Sequence, residues 1–191
     1  MKAAERIAYV GVGSNLDPET NIVSVARRLT DEVRLLAVST FYWTAAVGGA
    51  GQARFLNGAF AIGTVLPPAG LKLLLRRIEA EFGRVRGADR NAPRPIDLDI
   101  LVYDDVIVEE GEVRLPHPEI EERAFLAVPL LELAPGIVLP GRPGPLAQCA
   151  VARATAGLDP APGFTARLRA AVARARLTHA EERGNGQDPS C

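Results

Sequence analysis

Short apolar runs alternate with two amphipathic stretches in the first half of the chain, and few folds accept that order. Ile7–Val12 is a brief apolar run ending in Gly13-Ser14-Asn15, which reads as a buried strand and a tight turn. Asp17 then stands as a helix N-cap with Pro18 at the first helical position. Ile22, Val25, Ala26 and Leu29 follow at i, i+3, i+4 and i+7, giving that helix one buried face. Leu35–Thr44 is β-branched and aromatic, a second strand. Beyond a loop at Gly48-Gly49-Ala50-Gly51, Phe55–Val65 reads as a third. Pro67-Pro68 opens a second helix with Leu71, Leu74, Leu75, Ile78 and Phe82 on one stripe and Gly83 as its C-terminal cap. Asp97–Tyr103 is a fourth strand. The order β-α-β-β-α-β predicts an α+β, ferredoxin-like sandwich: a mainly antiparallel sheet with helices packed on it.

Val106–Val108 and Val113–Leu115 read as an appended hairpin, and Phe125–Leu133 as a short apolar helix stopped near Pro135. From Gly141 onwards Gly, Pro and Ala dominate, and Thr165–Leu177 is Ala/Arg-rich with a thin apolar stripe. One domain is therefore expected over residues 1–160, with a solvated tail over 161–191, partly helical or disordered. Cys149 and Cys191 lie far apart, so neither a disulfide framework nor a zinc site is expected. The lack of a signal region after Met1, and of any apolar stretch long enough for a bilayer, points to the cytoplasm.

Charge narrows the function. With 22 basic and 23 acidic side chains the net charge is −1, which argues against a nucleic-acid or membrane-surface binder. Any anion site must come from local clustering of arginine, because only Lys2 and Lys72 are lysine. Such a cluster exists: Arg84, Arg86, Arg90 and Arg94 precede Pro95-Ile96-Asp97-Leu98-Asp99-Ile100. Residues i and i+2 of a strand share a face, so Asp97 and Asp99 project side by side, about 6.6 Å apart along the chain, while Leu98 and Ile100 turn to the core. Adjacent carboxylates repel unless a cation lies between them. Magnesium suits them, since it takes one or two protein carboxylates and completes its shell with water and substrate phosphates. Arginine forks suit the remaining phosphate oxygens. The combination fits phosphoryl-group transfer, in which positioning and charge stabilisation do most of the catalysis. There is no P-loop motif, and Leu16 stands where the third glycine of a dinucleotide fingerprint belongs. Phe55 and Asn57 share a strand face and suit a flat, hydrogen-bonding heterocycle. His117, between prolines, is a candidate for phosphate contact or for acid–base work.

Gly13-Ser14-Asn15-Leu16, Phe55-Leu56-Asn57, Gly83-Arg84-Val85-Arg86, Pro93-Arg94 with Asp97-Leu98-Asp99, and Pro116-His117-Pro118 occur in that order. Together they resemble the 6-hydroxymethyl-7,8-dihydropterin pyrophosphokinases, over about Ala8 to Pro140. The resemblance implies a ferredoxin-like enzyme that moves the diphosphate of ATP to the pterin hydroxymethyl group, releasing AMP. It implies two Mg2+ ions on Asp97 and Asp99, with Arg84 and Arg94 stabilising charge on the transferring diphosphate. Glu79, Arg86, Ile100, His117 and Arg123 would contact ATP. The pterin would lie between Phe55 and Phe125, its edge read by Asn57, Thr44 and the backbone at Val47. A monomer is implied, with two small-molecule substrates and no nucleic-acid or membrane partner. Ala45 and Ala46 stand where the family usually has prolines, and Asn91 where a loop aromatic is common. Those changes leave two alternatives open: a paralogue using a modified pterin, and a non-catalytic nucleotide-binding module.

Overall fold

The computed structural model describes residues 4–47, 51–85 and 92–184, with side chains described to residue 177. Arg86, Arg90, Asn91, Gly48-Gly49-Ala50 and Cys191 lie outside the described residues. The first elements are β1 Arg6–Ser14, α1 Pro18–Thr30, β2 Arg34–Val38, β3 Tyr42–Thr44, β4 Phe55–Thr64, α2 Pro68–Glu81 and β5 Asp97–Tyr103. There follow β6 Val108–Glu110, β7 Val113–Leu115, α3 Ala124–Leu133, α4 Ala150–Arg153, β8 Asp159–Pro160 and α5 Pro162–Gly184.

The main sheet runs β5-β1-β4-β3-β8 with antiparallel pairing, and β2 also pairs with β4. This is the α+β arrangement that the element order predicts. β1 and β4 are central and apolar on both faces, so both faces carry a core. One face packs Ile22, Val25 and Leu29 of α1 with Leu71, Leu75 and Ile78 of α2. The other packs Ala127 and Leu130 of α3 against Ala59, Leu101 and Val102.

Four local differences from the sequence reading have physical causes. Leu35–Thr44 is two strands, interrupted where the Ser39 hydroxyl accepts the Ala59 N–H at 2.8 Å in place of a ladder carbonyl. Phe41 then turns inward beneath Gly58, where a Cβ would lie 2.6 Å from its ring. Asp17 occupies the N-cap position of α1 but is left-handed (φ 43°) and makes no side-chain cap. The hairpin starts at Val108 because Val106 N–H is held by the Tyr103 carbonyl at 3.0 Å in the turn after β5.

The fourth difference lies at residues 161–172, which pack into the core where a solvated tail was expected. Phe164, Leu168 and Val172 of α5 are 3%, 0% and 5% exposed and join the first core. Their i, i+4, i+8 spacing is a single line down the helix. Phe164 meets Phe41 edge-on with ring centres 5.4 Å apart. Phe41 N–H donates to Thr165 Oγ1 at 3.0 Å, and Ala161 N–H donates to the Phe41 carbonyl at 2.8 Å. β8 pairs Tyr42 with Pro160 and Trp43 with Asp159. Arg54 donates to the Trp43 carbonyl at 2.8 Å and also pairs with Asp159. No helix among the described residues is long and apolar enough to cross a membrane.

Candidate active site

The sheet register assembles the site. Asp97, Gly13, Asn57 and Tyr42 lie in one row across β5, β1, β4 and β3, and Asp99, Gly11 and Ala59 form the next row. Directly opposed residues share a face, and strands are about 4.8 Å apart, so the Asp97 backbone stands about 10 Å from that of Asn57. The strand between them carries only hydrogens on this face. A Cβ on Gly13 would lie 2.5 Å from Asn57 Oδ1, and one on Gly11 would lie 3.1 Å from Leu101 Cδ2. The rows are the floor of a cleft of about 340 Å³, a size suited to a small organic ligand.

Charged groups build one wall. As alternation requires, Leu98 and Ile100 are buried in the core and the intervening aspartates open into the cleft. Arg94 Nη1 donates to Asp97 Oδ2 at 2.5 Å, and Arg84 pairs with both Asp97 and Glu79. Lys72 Nζ lies 2.7 Å from Asp99 Oδ1. Burial pushes the Asp99 carboxyl up, but the charge and hydrogen bond of Lys72, helped by His117 and Arg84, hold it below its ordinary range. Burial works against the Arg84 guanidinium too, yet Asp97 and Glu79 keep it protonated beyond its ordinary range. Glu79 is 2% exposed and accepts the outward-facing Leu98 N–H of edge strand β5 at 2.8 Å. It therefore anchors α2, β5 and Arg84 together.

The other wall is apolar with a polar seam. Phe55, Phe125 and Leu126 line the cleft beside Thr44, Val47 and Asn57. Asn57 Nδ2 donates to Thr44 Oγ1 at 2.8 Å, which fixes the amide's orientation. Arg94 ties the walls together, its guanidinium carbon 5.7 Å from the centre of the Phe55 ring. His117, Glu119 and Arg123 close one end. There Arg123 Nε lies 3.4 Å from Glu119 Oε2, and His117 Nδ1 accepts the Glu119 N–H at 3.3 Å.

The residues singled out from the sequence thus fall into three groups. Arg94, Asp97, Asp99, His117, Arg123, Thr44, Val47, Phe55, Asn57 and Phe125 share the cleft. Glu79, Arg84 and Ile100 sit behind its charged wall rather than on its surface. Arg86 is outside the described residues. Lys72 and Glu119 were given no role from the sequence, and the Ser14-Asn15 turn entered only as a motif of the resemblance. The Ser14-Asn15 turn looks unspecific by itself, yet it holds the Arg94-Pro95 segment in place. Ser14 Oγ donates to the Pro95 carbonyl at 2.5 Å, and Asn15 Oδ1 accepts the Arg94 N–H at 2.7 Å.

The donor set fits magnesium. Asp97 and Asp99 offer hard carboxylate oxygens on one open face, and both are already faced by cationic side chains. Among the described residues no three His, Cys, Asp or Glu side chains gather into a closed cage. Two carboxylates leave room for water and phosphate oxygens in the metal's shell.

A family model described as 7,8-dihydro-6-hydroxymethylpterin-pyrophosphokinase (HPPK) matches residues 9–135. A curated relative from Methylorubrum extorquens, named 2-amino-4-hydroxy-6-hydroxymethyldihydropteridine pyrophosphokinase, is 41% identical over 156 residues, covering 80% of this chain and 94% of its own. One of the same name from Pseudomonas aeruginosa is 42% identical over 147 residues, covering 74% and 90%. The crystal structure of wild-type Plasmodium falciparum HPPK-DHPS with pterin and p-hydroxybenzoate aligns with a TM-score of 0.62 at 12% identity. That alignment covers 80% of this chain and 42% of the longer protein, and the likeness is one of fold.

Proposed function

The chain belongs to the 7,8-dihydro-6-hydroxymethylpterin-pyrophosphokinase family and is an ATP-dependent diphosphokinase of folate biosynthesis, and from that premise we propose how its cleft works. The hydroxymethyl oxygen of 6-hydroxymethyl-7,8-dihydropterin bonds to the β-phosphorus of ATP. The bond from that phosphorus to the α,β-bridging oxygen breaks, and AMP leaves with the oxygen. The observation that carries this reading is the register row that sets Asp97 two strands from Asn57 across bare glycine. Phosphate chemistry and heterocycle recognition then meet within one ligand's length.

The pterin lies between Phe55 and Phe125, both of which line the cleft. Because the Asn57 Nδ2 is committed to Thr44, its Oδ1 is the acceptor offered to ring N–H groups, with the Val47 backbone alongside. Asp97 and Asp99 would hold two Mg2+ ions, which neutralise and align the triphosphate. Arg94, braced between Asp97 and Phe55, presents its remaining N–H donors to the diphosphate as charge builds on it. Arg84 supports the same charge from behind Asp97, and Glu79 keeps it there. His117, Arg123, Arg86 and the flank of Ile100 serve the nucleotide. Every step uses small molecules, and the reading includes a cytoplasmic monomer, where ATP is at hand.

A product assay tests the whole. The protein, ATP, magnesium and the dihydropterin should yield AMP in proportion to pterin consumed, separated chromatographically from ADP. ADP would mean transfer of a single phosphate and a different alignment in the cleft. ATP left intact would overturn the assignment.

A further inference from the structure

Lys72 stands apart from the other cations of the site. It is the only lysine among the described residues, in a chain whose other basic side chains there are all arginine. It rises from α2 between the buried Leu71 and Leu73, which is 67% exposed. Its own side chain is 13% exposed, and its Nζ is 2.7 Å from Asp99 Oδ1. The neighbouring carboxylate, Asp97, is paired by two guanidiniums instead. The difference in residue type has a chemical meaning. A guanidinium grips a carboxylate as a rigid two-point fork, whereas an ammonium is a compact point charge on a flexible stem, able to let go without breaking a paired contact.

We propose that Lys72 is the resident counter-ion of Asp99, which the metal displaces and which then transfers its ammonium to the polyphosphate. The inference rests on the pyrophosphokinase reading of the cleft. In the nucleotide-free protein, two carboxylates that share a face need compensating charge, since a partly buried carboxylate left unpaired is costly. Lys72 supplies it at Asp99. When a divalent ion takes Asp99, the ammonium is released beside the incoming phosphates and becomes a nucleotide contact. The site thus exchanges one cation for another and stays electrically matched in both states. Lys72 is in this sense a competitor of the metal at Asp99 and a binding residue for ATP.

Two opposite-signed effects identify the exchange. Titration of nucleotide-free protein with Mn2+, followed by electron paramagnetic resonance, should show K72M binding the ion roughly fivefold tighter than wild type, because its competitor is gone. The same variant should bind α,β-methylene-ATP with Mn2+ roughly fivefold more weakly, having lost a phosphate contact, while K72R retains part of that affinity. A merely structural ion pair would lower the melting temperature of K72M and leave both constants alone, and that result would overturn the proposal. Wild-type protein offers a reading that needs no variant. Trace acetic anhydride should label Lys72 faster once Mn2+ is added and more slowly once the nucleotide analogue follows, read by peptide mass spectrometry. Labelling indifferent to both would also overturn it. None of these readings depends on turnover. Failure of the exchange with normal AMP formation is therefore distinct from failure of the enzymatic assignment.

Discussion

The two walls of the cleft are held by different physics. The β5 wall is a chain of matched charges: Glu79, Arg84, Asp97 and Arg94, with Lys72 on Asp99. The apolar wall is Phe55 and Asn57 of β4, Phe125 of α3 and Thr44 at the end of β3, a strand held between β4 and β8 and preceded by Phe41, on which the buried ring of Phe164 packs. Charge can be rearranged as ligands arrive, because each partner has an alternative in the substrate or the metal. Packing cannot, because a close-packed side chain has nowhere else to go. On the proposed reading, the adaptable wall is the one that meets the phosphates, and the fixed wall is the one that recognises the flat ring.

That contrast fails first, if it fails, at the aspartates. Asp97→Ala and Asp99→Ala should each cut AMP formation by roughly a thousandfold. The fold should survive with a modest drop in melting temperature, because each substitution takes a carboxylate that opens towards the cleft from a mostly buried cation, Arg84 or Lys72. A large loss of stability instead would mean that the charged wall is as structural as the other. On the packed wall, Phe164→Ala should destabilise the protein by about 3–5 kcal/mol, read by urea unfolding. It should raise KM for the pterin while leaving KM for ATP near its wild-type value. An equal rise in both would show that the walls are not independent.

Arg94→Ala should lower kcat by roughly 10- to 100-fold with little change in the dissociation constant of α,β-methylene-ATP, since its charge is worth most as the bond breaks. A pure binding loss would place Arg94 in ground-state recognition. The smallest expected effect is a titration. Burial, and then the hydrogen bond and charge of Glu132, push the Tyr42 phenol up to about 12. A raised folded pKa means that this group's contribution to stability is complete below about pH 10, the value of a free phenol, and is lost as the pH climbs towards 12. Absorbance at 295 nm should show Tyr42→Phe removing the most alkaline part of the tyrosine titration.

What the sequence disclosed follows the same division. β5 was legible to its exact ends, because Pro95 forces an extended entry, Asp97 to Ile100 alternate polar and apolar, and an apolar run to Tyr103 follows. α2 was legible from Leu71, Leu74, Leu75 and Ile78. The pairing of aspartates with arginines was visible as residue types a few positions apart. The break at Ser39 was not, because a hydroxyl that replaces a backbone acceptor leaves no mark on strand propensity. Nor was the docking of α5. Its apolar line is Phe164, Leu168 and Val172 among alanines and arginines, too thin to signal burial until Phe41 supplies its partner 123 positions away. Lys72 was invisible for a related reason: a lysine on an amphipathic helix looks solvated unless the fold places a carboxylate beside it.

The two-residue strand β8 has a consequence for how the protein behaves in concentrated solution. It covers the free backbone edge of Tyr42-Trp43, and it does so with Pro160, which has no N–H to offer a further strand. A chain cut before Asp159 would bare an aromatic, strand-forming edge able to recruit its like from another molecule. The C-terminal segment therefore works as a terminator of the sheet.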